Sequence, residues 1–326
     1  MKKTKILIVG ANGQIGTELT QALAQRYGAQ AVVTSDIAAQ GRVENTALGV
    51  KHVSLDATDG KALKAAIEAH DITQIYLLAA ALSARGEQQP SWAWDLNMKS
   101  LLHVLELART HSLRVFWPSS IAAFGPNSPK QMTPQRCVMD PTSVYGISKL
   151  AGEGWCAWYH RNHGVDVRSL RYPGLISWKT PPGGGTTDYA VEIFHAALSN
   201  GHYTSFLSAD TALPMMYMPD AIRATLELMD APASSIQERS GYNLAGLSFT
   251  PAQMAAAIRR HLPAFTIDYA PDFRQAIADS WPQSIDDQVA QKDWGWKAAF
   301  DLDAMVHDML THLRPRITQA TERLAA

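Results

Sequence analysis

The stretch YGISK places Tyr145 four positions before Lys149. On a helix, positions i and i+4 share a face, so both side chains can reach one ligand. A phenol with a pKa near 10 is a poor base at neutral pH, but a neighbouring ammonium stabilises phenolate and lowers that value. Such a pair can take the proton of an alcohol while its hydride leaves for an acceptor. The same spacing also occurs on helix surfaces that have no chemical role. Ser120, in WPSSIAAFGP, follows an apolar run. Open parallel sheets bind ligands at the carboxyl ends of their strands, so its hydroxyl can orient a substrate alcohol. Its neighbour Ser119 is the lesser candidate, and one of the two is expected only to satisfy backbone.

A second chemical signal lies at the N-terminus, where GANGQIG carries Gly10, Gly13 and Gly16. Residues without Cβ allow a tight turn and let a pyrophosphate approach the amides of a helix N-terminus, where the dipole favours an anion. A turn so placed, after a first strand and before a helix, points to dinucleotide binding. Asp36 follows the second strand at the distance where a carboxylate accepts from the adenosine ribose and repels a 2′-phosphate, so NAD is expected over NADP. Asp56, in LDATD, is a candidate for the adenine amino group.

The elements that must hold these residues alternate. Apolar runs at Lys5 to Val9, Ala31 to Thr34, Ile75 to Ala81, Val115 to Trp117 and Val165 to Leu170 read as strands. Helical periodicity lies between them at Ile15 to Tyr27, Ala62 to Ala69, Ser100 to Thr110 and Val144 to Asn162. That rhythm predicts an α/β fold with a parallel sheet covered on both faces. After Tyr172 it breaks at TPPGGGTTD, and a helix is expected from about Tyr189 to Ser199. The second half is expected to form a smaller lobe over the carboxyl edge of the sheet.

Composition narrows the partners. With 29 Lys and Arg against 30 Asp and Glu, the chain has no basic block suited to nucleic acid, and the partner is expected to be a small molecule. No apolar run approaches the roughly 20 residues needed to cross a bilayer, and MKKTKILIVGANG does not read as a signal peptide, so no membrane association and a cytoplasmic location are expected. Cys137 and Cys156 lack metal-ligand spacing and suggest no disulfide framework.

Taken together, GxxGxxG, the aspartate after the second strand, LAAA after the fourth, Asn97, PSSIAAFG, YGISK and RYPG resemble the extended short-chain dehydrogenase/reductases, the group that includes the UDP-galactose epimerases. The resemblance implies a Rossmann doubly wound parallel sheet with a smaller C-terminal α/β substrate lobe. It implies an NAD-binding domain over 1–173, a mainly substrate-binding lobe over 174–314 with segments returning to the sheet domain, and a tail over 315–326. Ser120, Tyr145 and Lys149 would form the catalytic triad, with Asn97 supporting Lys149 through a water. Further NAD contacts would come from Gln14, Ile15, Ala57, Leu78, Ala79, Ala80, Tyr172 and Pro173. Members commonly dimerise through a four-helix interface, so a homodimer is expected.

Three further stretches, AALSARGEQ, PPGGGTTDYAVEIFHAAL and LPMMYMPDAIRATLELM, are similar to the short-chain type of L-threonine 3-dehydrogenase. DWGWK followed by DLDAMVHDML fits the same group. This implies oxidation of the threonine C3 hydroxyl to L-2-amino-3-oxobutyrate, with NAD and no metal. Ser83, Gly184, Thr186 and Trp281 would contact substrate beside Ser120 and Tyr145. The blander alternatives are that Ser83 and Thr186 cap helices and that Trp281 packs the lobe. A competing reading is a nucleotide-sugar epimerase or dehydratase, which needs basic residues for a diphosphate, with Arg223, Arg259 and Arg274 as candidates. A third is a non-catalytic NAD-sensing protein, which would be expected to carry a damaged triad.

Overall fold

The computed structural model describes residues 3–180 and 185–325. The first part runs β1 (Ile6–Val9), α1 (Gln14–Tyr27), β2 (Val32–Asp36), α2 (Val43–Thr46), β3 (Lys51–Ser54), α3 (Gly60–Ala69), β4 (Gln74–Leu77), α4 (Ser83–Gln88), α5 (Pro90–His111), β5 (Arg114–Phe116), β6 (Ser119–Ser120), α6 (Val144–His163), β7 (Asp166–Arg168) and β8 (Leu170–Tyr172). The rest comprises β9 (Gly174–Ile176), α7 (Tyr189–Ser199), β10 (His202–Ser205), β11 (Leu213–Tyr217), α8 (Met218–Asp230), β12 (Tyr242–Asn243), β13 (Leu247–Phe249), α9 (Pro251–Arg259), β14 (Thr266–Tyr269), α10 (Arg274–Ser280), α11 (Gln288–Trp294) and α12 (Leu302–Ala325).

The main sheet has the order β3-β2-β1-β4-β5-β7 with every pair parallel. β1 is buried along its whole length, as a strand covered on both faces requires. One apolar layer joins the sheet to α3, α5 and α6 through residues such as Leu63, Leu101, Val104 and Cys156. The other joins it to α1 and to α8, which returns from the second half through Ala221, Ala224 and Leu228. A third core lies in the lobe, where Phe194, Ile258 and Met309 bring α7, α9 and α12 together. The order reverses between β1 and β4, so the crevice at a topological switch point opens there.

The strand expected over 165–170 is two strands in two sheets. β7 pairs with β5, whereas β8 pairs with β6 and β12. Pro118 has no N–H to continue the ladder past β5, and pairing resumes one residue later at Ser119, displaced into a smaller sheet. The expected 100–110 helix starts earlier, with Pro90 at its first turn, a position where the missing N–H costs nothing. Residues 315–325, expected as a tail, continue α12 through Pro315.

Candidate active site

The glycine turn after β1 is shaped by close approach. Gly10 has φ +86°, and a Cβ there would lie 2.5 Å from the Ala79 amide nitrogen; at Gly16 it would lie 2.6 Å from the Gly10 carbonyl oxygen. The turn therefore presses against the end of β4. Gly13 is the N-cap of α1 and supplies no side-chain cap, which leaves the first amides of α1 facing the crevice.

Two adjoining cavities lie over this turn, sharing Gly10, Gly13, Leu78 and Ala80. The larger, about 550 Å³, is lined by Asp36, Asp56, Ala57 and Ala79. The Asp36 carboxylate is held at its edge by the Asn12 and Ala38 amides, at 3.1 and 3.3 Å. Asp56 accepts from the amide and hydroxyl of Thr58, both at 2.8 Å. The smaller, about 260 Å³, is lined by Gln14, Ile15, Gly16, Tyr172 and Pro173 on one side, and by Ser83, Ser120, Tyr145, Lys149, Thr186 and Trp281 on the other. An acidic ribose-side rim, an uncapped helix N-terminus and an apolar inner end suit the parts of a dinucleotide in order.

The triad residues meet because α6 starts against the turn that follows β6. Ser143 caps α6 by accepting from the Gly146 amide at 3.0 Å. A Cβ at Gly146 would lie 2.1 Å from the Ala122 carbonyl oxygen, so only glycine lets the helix approach this closely. Tyr145 and Lys149 then share the inner face of α6. The Ser120 hydroxyl lies beside the Tyr145 phenol, where it favours phenolate, and accepts from the Ala122 amide at 3.1 Å. Ser119 points the other way, donating to Glu153 at 2.6 Å, and Glu153 is paired with Arg171 at 2.7 Å. Ser120 is thus the serine of the site.

Lys149 donates to the Pro118 carbonyl at 2.5 Å, with its ammonium 4.5 Å from the Trp117 ring centre and 5.4 Å from that of Tyr145. Burial pulls its pKa down to about 7. Burial also pushes the Tyr145 phenol up to about 12, against the opposing pull of the Ser120 hydrogen bond. Burial therefore sets both values, and Lys149 is not among the groups that lower the phenol here.

The substrate side rests on hydroxyls. Ser83 is buried at the first turn of α4, whose N-cap, Leu82, makes no side-chain capping bond. Thr186 is 1% exposed, and its hydroxyl finds no partner among the described residues. It does not cap α7, whose N-cap is Asp188. Trp281, at the end of α10, is buried and lines the same cavity.

One expected site residue is set off the cavity walls, and one is not described. Asn97 lines neither cavity: it accepts from the Ala81 amide at 2.7 Å and donates to Ser148 at 2.9 Å, and so braces the turn after β4 against α6. Gly184 lies outside the described residues. The sequence reading missed Ile121, Leu175 and Asp188 on the substrate side and Arg85 and Trp92 on the adenosine side. Asp188 follows directly on the GGGTT stretch, a signal that was available; an apolar wall residue such as Leu175 carries none.

A dinucleotide crevice at the switch point, with Ser, Tyr and Lys converging at its inner end, defines a nicotinamide-dependent enzyme of the Rossmann class. The chain belongs to the NAD dependent epimerase/dehydratase family, whose model matches residues 6–245. An uncharacterised epimerase/dehydratase of Staphylococcus haemolyticus is 47% identical over 307 residues, covering 94% of this chain and 96% of that one. Among solved structures, the holo form of a GalE-like L-threonine dehydrogenase from Cupriavidus necator is 67% identical with a TM-score of 0.92, covering 95% of this chain and 99% of its own. A monomeric L-threonine 3-dehydrogenase from a metagenome is 46% identical with a TM-score of 0.92, covering 96% of this chain and 99% of its own.

Proposed function

We propose that this protein oxidises the C3 hydroxyl of L-threonine with NAD+, giving L-2-amino-3-oxobutyrate, NADH and a proton. The observation that carries this reading is the cavity of about 260 Å³ in which Thr186 presents a buried hydroxyl that has no partner among the described residues, beside Ser120 and Tyr145. A hydroxyl serves either end of a small zwitterion, donating to carboxylate or accepting from ammonium, and Ser83 offers a second one. The high similarity to solved L-threonine dehydrogenases supports the same substrate.

Ser120 holds the substrate alcohol against the Tyr145 phenol oxygen. Tyr145 then removes the alcohol proton in its phenolate form. Bound NAD+, held by the Gly10–Gly16 turn and by Asp36, supplies the hydride acceptor and a positive charge that favours phenolate. Lys149 adds a cation at the base of the same pocket and a donor for hydroxyls. Trp281 excludes water from the inner end.

The epimerase reading lacks its anion site. Among the described residues, Lys149 is the only cation lining the inner cavity. Arg223 is paired with Asp220 and Glu227, Arg274 with Asp272, and Arg259 donates to the Phe265 carbonyl. None of the three lines that cavity, so a sugar diphosphate would find no cation there among the described residues beyond Lys149.

In this reading residues 1–173 hold NAD and 174–314 supply most of the substrate wall, through Thr186 and Trp281. A cytoplasmic homodimer also fits. Trp94, Ile147, Trp155 and Trp158 are exposed on α5 and α6, an apolar face of the kind that marks contact with another chain. Light scattering decides this point, since one similar structure is described as monomeric.

The test is NADH absorbance from chelator-treated protein given NAD+ and L-threonine, with L-allo-threonine, L-serine and D-threonine as controls. Selective reduction with L-threonine supports the assignment. No turnover, with NAD retained through purification, would move it to an epimerase.

A further inference from the structure

Lys130 has no part in the chemistry above, yet it sits in a clasp with the segment that carries Trp281. Its ammonium donates to the carbonyls of Asp279 and Trp281 at 3.0 and 3.2 Å. Its own carbonyl accepts from the amides of Gln283 and Ser284 at 2.8 and 3.2 Å. The contact continues through the Met132 amide to the Ser284 hydroxyl at 2.8 Å, the Thr133 amide to the Ser284 carbonyl at 2.9 Å and the Asp286 amide to the Thr133 carbonyl at 3.0 Å. A loop shortly after Ser120 is thereby bonded, side chain and backbone together, to residues 279–286 of the second half.

The ammonium is placed where α10 ends. The last carbonyls of a helix have no intrahelical partner and carry the negative end of the dipole, so a cation there is held firmly. Ser280 is the last residue of α10 and Trp281 its C-cap. The two carbonyls that Lys130 holds therefore flank the point where the chain turns and the indole enters the inner cavity. Burial lowers the pKa of the ammonium, while the carboxylates of Asp140 and Asp279 act on it in the opposite direction.

We infer that Lys130 is a positioning residue for substrate selection: by holding the end of α10 it fixes the depth at which Trp281 walls the inner cavity, and so the size of amino-acid side chain admitted beside Tyr145. This rests on the reading of the cavity as an amino-acid site. The cofactor contacts lie on other elements, so loss of the clasp should change substrate binding without changing NAD affinity.

The experiment compares wild type with Lys130→Met, which keeps the stem and loses the charge, and with Lys130→Arg. Hydrogen bonds from a charged donor predict a rise of about tenfold in KM for L-threonine in Lys130→Met, with kcat and the NAD dissociation constant changed by less than about twofold. Relative activity on a bulkier 3-hydroxy amino acid, L-threo-3-phenylserine, should rise, and Lys130→Arg should restore wild-type behaviour. A second readout needs no turnover. In protein labelled with 5-fluorotryptophan, the Trp281 resonance, assigned by its loss in Trp281→Phe, should shift or broaden in Lys130→Met and recover in Lys130→Arg. An unmoved resonance overturns the clasp, and a moved resonance with unchanged KM and selectivity overturns its role in selection. NAD affinity falling in step with threonine affinity would mean general damage and would also overturn it. If Lys130→Met does not fold, Lys130→Gln is measured in the same way. Absence of threonine turnover in wild type would instead sink the functional reading, while the fluorine signal still decides the clasp.

Discussion

The adenosine half of the crevice is made from a glycine turn, the ends of neighbouring strands and the facing turns of α4 and α5. The inner half is made from side chains on segments far apart in sequence: Ser83 after β4, Ser120 at the end of β6, Tyr145 on α6, Thr186 before α7 and Trp281 after α10. Backbone amides serve any dinucleotide, so the first half is shared by many reactions. Side-chain hydroxyls and an indole wall serve one shape, so the second half is where an enzyme on this fold acquires its substrate. The two halves should therefore fail separately.

The sharpest separation is Tyr145→Phe. It removes the group proposed to take the alcohol proton and leaves the adenosine cavity untouched. Turnover should fall by about 10²- to 10⁴-fold, the usual weight of general acid-base catalysis, with NAD affinity in equilibrium titration nearly unchanged. Near-normal turnover would remove Tyr145 as the base and dissolve the distinction between the halves.

Lys149→Met should cost less activity than the loss of Tyr145 while stabilising the fold. Burial lowers the lysine to about 7 from its ordinary 10.5. Between those values the unfolded chain holds a proton that the folded chain has released, so wild-type stability rises with pH from 7 to 10.5. Below pH 7 the folded protein carries the full penalty of a buried ammonium. The variant should therefore gain most in Tm below pH 7, with the gain shrinking toward pH 10.5. A gain independent of pH would show that Lys149 is not titrating in that window.

The same division explains what could be read from the sequence. β1, the turn at Gly10–Gly16 and Asp36 are a local pattern, an apolar run and spaced glycines followed by a second run, and the structure places them as that pattern implies. The helix from Tyr189 to Ser199 was legible from its own periodicity. The break at Ser169 was not, because an apolar run says nothing about which neighbour it pairs with, and the cause lies far upstream at Pro118. Asn97 was legible as a polar residue on a helix, but its partner, the Ala81 backbone, is set by how α5 docks on the turn after β4. The opposed pKa shifts of Tyr145 and Lys149 depend on burial, which spacing on a helix does not reveal. Ser83, Thr186 and Trp281 were reached through family resemblance, since no local pattern marks residues that meet only after folding.

Thr186→Val tests the inner half more gently, since the two side chains have nearly the same shape. A buried hydroxyl without a partner costs about 1–3 kcal/mol, so its removal should raise Tm in the absence of ligand. KM for threonine should rise by about tenfold if the hydroxyl bonds the substrate. A stability gain together with weaker substrate binding is the mark of a group held ready for a ligand. A lower Tm with unchanged KM would return Thr186 to a structural role.

The smallest effect is expected at the outer rim, from Asp36→Ala. The carboxylate there is exposed enough for water and salt to weaken its repulsion of a 2′-phosphate. It also braces the glycine turn through the Asn12 amide at 3.1 Å, and the same Asn12 holds the Arg42 side chain by its backbone carbonyl at 3.0 Å. Removing the carboxylate leaves the Arg42 guanidinium as the nearby charge on Asn12, and arginine is the usual partner of a 2′-phosphate. The preference for NAD over NADP, measured as a ratio of kcat/KM, should narrow by about tenfold, mostly through weaker NAD binding, with KM for threonine at saturating cofactor unchanged. An unchanged ratio would place the ribose contact on another residue. A shift in threonine KM at saturating NAD would show that the two halves are coupled through the glycine turn they share, and would break the separation at its weakest point.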